Sequence, residues 1–488
     1  MNNMKKLLWT VFSTFVLFIW LVLPIASATN AWIYDENGRA VLLHGVSVSN
    51  IAKRTPDHMS WHTFDDYEHL IKDWGFNTIR FLIFWSAIEP EPGVYNETYL
   101  DEVEKRLEWA ESLGIYVILD MHQDLYGKKY EESGGDGAPV WATWDDDIPL
   151  FHVDRNKWVY NYLQPAIRLA FTNFWIEDEL QNHFVSMWVH VVDRFKDNSA
   201  VLGYDLLNEP FFGNILPPSL FESVVLKNFY LKLICEMKKV DPDGLFFYQP
   251  QITASAGIKS YMGVLPQDNL VYAPHFYCFG LCDRTYFVNE RLLQRNTEAE
   301  TACVPWIIGE FAVRNNTFNR NDFYFNGDKY LINVLANLDS HMAGWIYWNY
   351  DYKSHDSYGI LEDNGNERAQ LQYLVYPYPQ KIAGNPIKFS YSYENKSCYV
   401  EFEENENADG PTKIFVGQER IYPEGFVVTC SDPEGTWFWE YDPDYDVIEV
   451  WTNSEIENHW ILVKPNISSI LLNFLKIYYQ SSYHFKFI

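Results

Sequence analysis

Between residues 41 and 350, short apolar runs alternate with longer stretches whose apolar positions recur at helical spacing. The runs at 41–48, 78–85, 115–122, 201–209, 245–250, 270–277, 305–312 and 342–348 are short and rich in β-branched and aromatic residues, so they read as strands. Stretches such as 63–74, 97–113, 180–195, 219–240 and 328–338 read as helices, several opened by Ser, Thr or Asp. Strands that alternate with helices in this way predict a closed (β/α)8 TIM barrel, an α/β fold. The connection at 123–179 is far longer than usual and crowded with Trp, Tyr, Asp and Gly, which predicts a loop shaping a substrate cleft.

The pattern changes after Trp348. Proline-rich Tyr376-Pro377-Tyr378-Pro379 and Gly384-Asn385-Pro386 predict a linker at 377–386, closing a catalytic domain at 29–376. Alternating segments at 387–393, 397–402, 413–416 and 447–452 then predict a smaller all-β sandwich domain over 387–468. Residues 469–488 form an apolar, aromatic tail broken by Asn473, Lys476 and Lys486, to which no role is assigned. At the other end, Lys5 and Lys6, an apolar run at 7–25 and Ala26-Ser27-Ala28 have the order of a secretory signal peptide ending at residue 28. An uncleaved membrane anchor is the alternative.

That leader predicts secretion, or delivery to a lysosomal or digestive lumen. Acceptor triplets at Asn96, Asn315, Asn395 and Asn466 agree with a glycoprotein. Six cysteines in an oxidising compartment permit disulfides, with Cys398 and Cys430 the favoured pair because both fall in the second domain. Cys278 and Cys282 resemble half a zinc site but lack a matching second pair, so no metal is expected. A net charge of −29 excludes nucleic acid, whose phosphates need clustered Lys and Arg. Aromatic residues make up 18% of the chain, enough both to fill a core and to stack on sugar faces.

Two strand ends carry glutamates: Asp205-Leu206-Leu207-Asn208-Glu209-Pro210 and Trp306-Ile307-Ile308-Gly309-Glu310-Phe311. Parallel barrel strands bring such ends to one open face, where a glycosidic bond can sit between two carboxyls. A retaining glycosidase needs one ionised nucleophile, expected as Glu310, and one protonated acid/base, expected as Glu209. Either glutamate alone is equally well read as a helix start or a structural carboxylate; the pair at separate strand ends favours chemistry. Arg80 would hold the nucleophile ionised, or form an ordinary buried ion pair. His122 and His275 would bond sugar hydroxyls or orient the glutamates, against the default of a satisfied core histidine. Tyr277 could donate to the nucleophile and Trp348 could floor the sugar site, though each alone more often means packing.

Arg80, His122, Asn208, Glu209, His275, Tyr277, Glu310 and Trp348 match in order and interval the pattern of the glycoside hydrolases of family five. Within that family the chain most resembles endoglycoceramidases, through 119–126 (Leu-Asp-Met-His-Gln-Asp-Leu-Tyr), 170–175 (Ala-Phe-Thr-Asn-Phe-Trp), 208–214 (Asn-Glu-Pro-Phe-Phe-Gly-Asn) and 376–384. The resemblance implies hydrolysis of the bond between an intact glycan and ceramide, with retention, no cofactor and no metal. It also implies that Lys53, His122, Asp124, Asn208, Tyr277 and Trp348 bind substrate, and that Arg80, Tyr277 and His275 support the nucleophile. His44-Gly45 stands where many relatives have Arg-Gly, and Ser47 replaces a common Asn; both departures touch the first strand and bear on sugar preference more than on chemistry.

The implied partner is a glycosphingolipid, met at a membrane or micelle surface. Whether an activator protein is needed is left open. Its two alkyl chains need an apolar slot beyond Glu209, for which Phe211, Phe212, Ile215, Leu216, Phe171 and Trp175 are the candidates, or else they simply pack the rim. Competing readings are another β-glycosidase on the same scaffold (glucosylceramidase, steryl glucosidase or endoglucanase) and a catalytically silent glycolipid-binding protein.

Overall fold

The computed structural model describes residues 32–151, 155–277, 285–314, 317–318 and 326–466. The expected leader, the apolar tail, the Asn315 triplet, Cys278 and Cys282 lie outside these residues.

Eight parallel strands form the core of the chain: His44–Val48, Thr78–Ile83, Tyr116–Met121, Val201–Asp205, Leu245–Tyr248, a sixth in two pieces (Leu270–Tyr272 and His275–Phe276), Ile307–Phe311 and Gly344–Tyr347. Each pairs with its sequence neighbour, and the eighth returns to pair with the first. The sixth strand breaks at Ala273-Pro274, where proline cannot donate to a ladder. Its first piece pairs with the fifth strand and its second with the seventh, and a bridge from Tyr272 to Trp306 completes the circuit. The barrel therefore closes. Inward side chains such as Ile118, Phe247, Val271, Ile307 and Ile346 fill its interior, so its open chemistry is confined to the strand ends.

The helix Glu97–Leu113 spans the predicted limits, capped by the Asn96 side chain and ended by Gly114 in a left-handed conformation. The long insertion after the third strand is more ordered than a loop: it holds 310 turns and the helix Pro165–Ile176, opened by proline at its first position.

The expected linker is a correction. Tyr378–Ile382 is a buried strand, and Asn385–Ser392 begins the next with no free connector between them. The expected first barrel strand also splits in two. Ala40 and Val41 pair antiparallel with Ile382 and Lys381, at the edge of a five-stranded sheet, before the chain enters the barrel at His44. That sheet and a four-stranded one built from Asn385–Ser392, Ser397–Glu403, Asn458–Pro465 and Phe426–Cys430 form the C-terminal sandwich.

The sandwich is fastened to the bottom of the barrel. Tyr378 stacks on His44 with ring centroids 3.7 Å apart and donates its hydroxyl to the Gly75 carbonyl at 2.7 Å. His44 is thus a joint residue, stacked also on Trp345, at the strand end opposite the glutamates. Its departure from the family pattern bears on the domain junction and not on sugar preference.

The favoured disulfide is a second correction. Cys398 and Cys430 lie on the two strands that flank Asn458–Pro465, opposite Val463 and Ile461 respectively, and both thiols are free. Two strand spacings of about 4.8 Å keep them beyond bonding reach.

Candidate active site

The charged and polar side chains at the site come from several strand ends and the loops that follow them, so their meeting is a product of barrel closure. Arg80, fully buried on the second strand, is the hub. Its guanidinium reaches Glu310 Oε1 at 2.6 Å, Asp205 Oδ2 at 2.9 Å and Asn208 Oδ1 at 2.9 Å. It also meets Asp120 Oδ1 at 2.8 Å. A guanidinium carries five donors in a planar fork and stays charged, which lets one residue serve the second, third, fourth and seventh strands together.

Glu310 receives a second strong donor, the Tyr277 hydroxyl, at 2.7 Å from Oε2. Both of its oxygens therefore act as acceptors, the arrangement that suits an ionised nucleophile. Glu209 sits in a different environment. Burial pushes its carboxyl up to about 7, with the Ser255 hydrogen bond, Lys53 and Arg80 opposing and the Asp124 charge assisting. Ser255 Oγ donates to Glu209 Oε1 at 2.7 Å. Burial thus favours the protonated form of Glu209, as an acid/base requires, whereas Glu310 is met by a guanidinium and a phenol as donors.

His275 stands between them. Its Nδ1 lies 3.0 Å from Glu209 Oε1 and 3.4 Å from Glu310 Oε2. Those contacts bring one oxygen of each carboxyl to the same imidazole nitrogen, so the two glutamates face each other across a single ring. Burial holds the imidazole neutral, its pKa lowered to about 4. A neutral ring facing two acceptors carries its proton on Nδ1. Gly309 makes room for this ring, since a Cβ there would meet His275 Cδ2 at 3.1 Å and Nε2 at 3.2 Å.

The backbone at Glu209 adopts φ 40°, a left-handed conformation that costs a non-glycine residue about 1–3 kcal/mol. Two glutamines hold it. The Gln249 carbonyl accepts from Glu209 N at 2.8 Å while its amide donates to Asp205, and Gln123 donates to the carbonyls of Asn208 and Glu209 at 2.7 and 3.1 Å. Sequence reading missed Gln249, Gln123, Ser255, Asp120 and Asp205. The only signal was an acidic residue placed inward on an otherwise apolar strand at Asp120 and Asp205.

Lys53, His122, Asp124 and Trp348 form a second group beside the carboxyls. Lys53 Nζ donates to Asp124 Oδ2 at 2.7 Å and lies 4.4 Å from the centre of the Trp348 ring. Trp348 stacks with His122, ring centroids 5.5 Å apart, and is fixed by Asp356 accepting from its indole at 2.9 Å. His122 Nδ1 bonds Asp120 Oδ2 at 2.6 Å, whereas its buried Nε2 has no hydrogen-bond partner among the described residues. His122, Asp124 and Asp136 each bring a donor atom within 4.8 Å of the others, a spacing open to a cation. The Lys53 ammonium already supplies positive charge there.

The expected slot divides. Phe171, Trp175 and Phe211 are buried and pack on one another beneath the rim, with the Trp175 indole donating to the Phe211 carbonyl at 2.8 Å. They are core. Phe212 and Ile215 are half-buried, and Leu216 is exposed, so only these three face outward beyond Glu209.

Residues 34–354 match the cellulase model of glycosyl hydrolase family 5, and residues 377–463 match the family's C-terminal domain. The chain belongs to glycoside hydrolase family 5. It is 27% identical to Endoglycoceramidase I of Rhodococcus hoagii, over 84% of this chain and 83% of that one. It is 25% identical to an endoglycoceramidase of Hydra vulgaris, over 80% of each. Among solved structures, endo-glycoceramidase II from Rhodococcus sp. superposes with a TM-score of 0.80 at 30% identity, covering 89% of this chain and 99% of that one. The same bacterial enzyme has been solved as a lactosyl-enzyme intermediate and as a ganglioside GM3 complex. This family-5 site thus sets two carboxyls at a barrel rim in different surroundings, Glu310 bound by a guanidinium and Glu209 by a serine hydroxyl.

Proposed function

We propose that the protein is a retaining endo-β-glycosidase that hydrolyses the linkage between oligosaccharide and ceramide in glycosphingolipids. The observation that carries the chemistry is the shared contact of His275 with Glu209 and Glu310, at 3.0 and 3.4 Å, with only Glu310 bound by a guanidinium. The substrate follows from likeness to endoglycoceramidases along most of both chains.

In the first step the Glu310 carboxylate attacks the anomeric carbon as the bond to the ceramide oxygen breaks, and Glu209 gives that oxygen its proton. Ceramide leaves as an alcohol and the glycan remains as an ester of Glu310. Glu209, now a carboxylate, takes a proton from water as the water oxygen attacks the same carbon, freeing Glu310 and the oligosaccharide with its original configuration. Arg80 and Tyr277 donate to the two oxygens of the nucleophile and hold it in place for attack. Lys53, Asp124 and the free Nε2 of His122 supply polar contacts for sugar hydroxyls, and the Trp348 face gives them an apolar floor.

A panel of glycosphingolipids with mass analysis of products tests this reading. Whole oligosaccharide plus ceramide is expected. Release of monosaccharide, or cleavage of cellulose in preference to glycolipid, would replace it with another family-5 activity, and absence of a covalent fluorosugar adduct at Glu310 in folded protein would make the chain a silent binder. We also propose that residues 1–28 direct the chain into the secretory route; the charged, apolar and small-residue order of that segment supports it. N-terminal sequencing of the mature protein is the check.

A further inference from the structure

We propose that Glu222 is a positioning residue for the acid/base: its buried carboxyl closes the loop at 251–261 and thereby holds Ser255 against Glu209. The inference rests on the glycosidase reading above and adds to it what sets the proton affinity of Glu209 from a distance.

That loop follows the fifth barrel strand and has little structure of its own, a single 310 turn at Ile252–Ala256 ended by Gly257 in a left-handed conformation. A turn so short does not hold its shape alone. It nevertheless makes three contacts with the reacting centre. Ser255 Oγ donates to Glu209 Oε1 at 2.7 Å, Ile252 N donates to the Pro210 carbonyl at 2.9 Å, and the Ser255 carbonyl accepts from Tyr277 N at 2.7 Å.

Glu222 supplies the restraint. It lies after the fourth strand on the π-helical turn Phe221–Leu226, a rare conformation, and its side chain is fully buried. Oε1 accepts from Gln251 N at 3.2 Å and from Ser260 Oγ at 2.9 Å, while Oε2 accepts from Tyr261 N at 2.5 Å. The three donors belong to the two ends of the loop, so one carboxyl draws both ends together and fixes the arc between them that carries Ser255. A carboxylate can do this because it accepts on both oxygens, which an amide cannot.

The exit of the loop has a second brace, from the helix Thr285–Ala302. Glu298 Oε1 accepts from Ser260 N at 2.9 Å, and its Oε2 meets Arg295 Nη1 at 3.2 Å and accepts from the Tyr272 hydroxyl at 2.8 Å. Arg295 Nη2 donates to the Ile258 carbonyl at 2.8 Å. The entrance at Gln251 is tied to that braced exit through Glu222.

The sign of the effect on Glu209 separates positioning from other roles. Removing a nearby negative charge would favour the Glu209 carboxylate and lower its pKa, whereas losing the Ser255 donor raises it. A brace with no bearing on Ser255 would change stability and leave that pKa alone. Lys53, Arg80 and Asp124, whose charges also act on Glu209, stand on other strands and loops and keep their places when Glu222 is replaced.

The test is Glu222→Gln in the full chain, whose amide keeps an acceptor for one end of the loop and turns N–H groups toward the other. The alkaline limb of kcat/KM on an aryl lactoside is expected to rise by about 0.5–1 in pH, as for Ser255→Ala, and the double variant Glu222→Gln/Ser255→Ala to rise no further. Infrared titration of the Glu209 carboxyl, with Glu209→Gln as the blank, should show the same displacement without turnover. Ser260→Ala, which removes one donor and keeps the carboxyl, should move the limb the same way by less. Tyr378→Ala, which weakens the domain joint, should leave it in place. An unmoved or lowered limb in Glu222→Gln, or a displacement that adds to that of Ser255→Ala, overturns the proposal; if Glu222→Gln does not fold, the limb of Ser260→Ala decides in the same way. Failure of the glycosidase reading looks different: the unsubstituted protein cleaves neither aryl lactoside nor glycolipid, while the infrared displacement is still read.

Discussion

Ser255 donates its hydroxyl to Glu209 at 2.7 Å, and the backbone carbonyl of the same serine accepts from Tyr277 N at 2.7 Å. One residue therefore touches the acid/base through its side chain and positions the nucleophile's phenol through its backbone. A donor to a carboxylate stabilises the charged form and lowers its pKa, so removing it raises the pKa. Ser255→Ala should move the alkaline limb of kcat/KM upward by about half a unit to one unit and slow substrates with poor leaving groups most. A pH–rate profile with two aryl glycosides of different leaving-group acidity checks both effects.

Glu209 near 7 implies that activity falls as pH rises through that value, because the first step needs the protonated acid. The same shift has a stability consequence. The folded pKa lies above the ordinary 4.5, so the native state binds the extra proton and stability declines as pH climbs from about 4.5 to 7. Glu209→Gln carries no such penalty. It should be more stable than the parent at pH 8, by up to about 3 kcal/mol, and equal to it near pH 4; denaturant melts at the two pH values measure the difference.

Glu310→Gln should lower turnover by at least about a thousandfold while leaving glycolipid affinity largely intact, since the amide cannot form the glycosyl ester. Glu209→Gln should instead keep activity toward dinitrophenyl glycosides, whose leaving group needs no proton, and lose it toward glycolipid. Steady-state kinetics on both substrates separates the two roles.

Gly309→Ala places a methyl group against the His275 ring. The ring must move a few tenths of an ångström, loosening its contact with both carboxyls. A fall of about tenfold to a hundredfold in kcat is expected, with an unchanged circular dichroism spectrum.

The joint beneath the barrel gives a control remote from chemistry. Tyr378→Ala removes the stack on His44 and the bond to the Gly75 carbonyl, and should cost about 3 kcal/mol of stability with KM unchanged. A changed sugar preference in that variant would return His44 to the substrate argument.

The carboxylate pair and its Arg, His and Tyr partners were legible in the chain because each sits at the end of a recognisable strand, and closure of eight such strands sends those ends to one place. Ser255 and Gln249 were not, because neither lies in a motif: their roles exist only through contacts with Glu209, 46 and 40 residues away. Tyr376-Pro377-Tyr378-Pro379 reads as a linker when proline is taken as a breaker. The strand forms nonetheless, with the Tyr378 ring buried against His44.

Periodicity and strand-end chemistry, both local properties of the chain, determined the barrel, the sandwich and the two glutamates. Tertiary structure alone decided which oxygen bonds which donor, that Cys398 and Cys430 are separated by a strand, and that Phe171, Trp175 and Phe211 are core while Leu216 faces solvent. The physical reason is that burial and proton affinity depend on neighbours brought together across the barrel, and no stretch of sequence encodes those neighbours by itself.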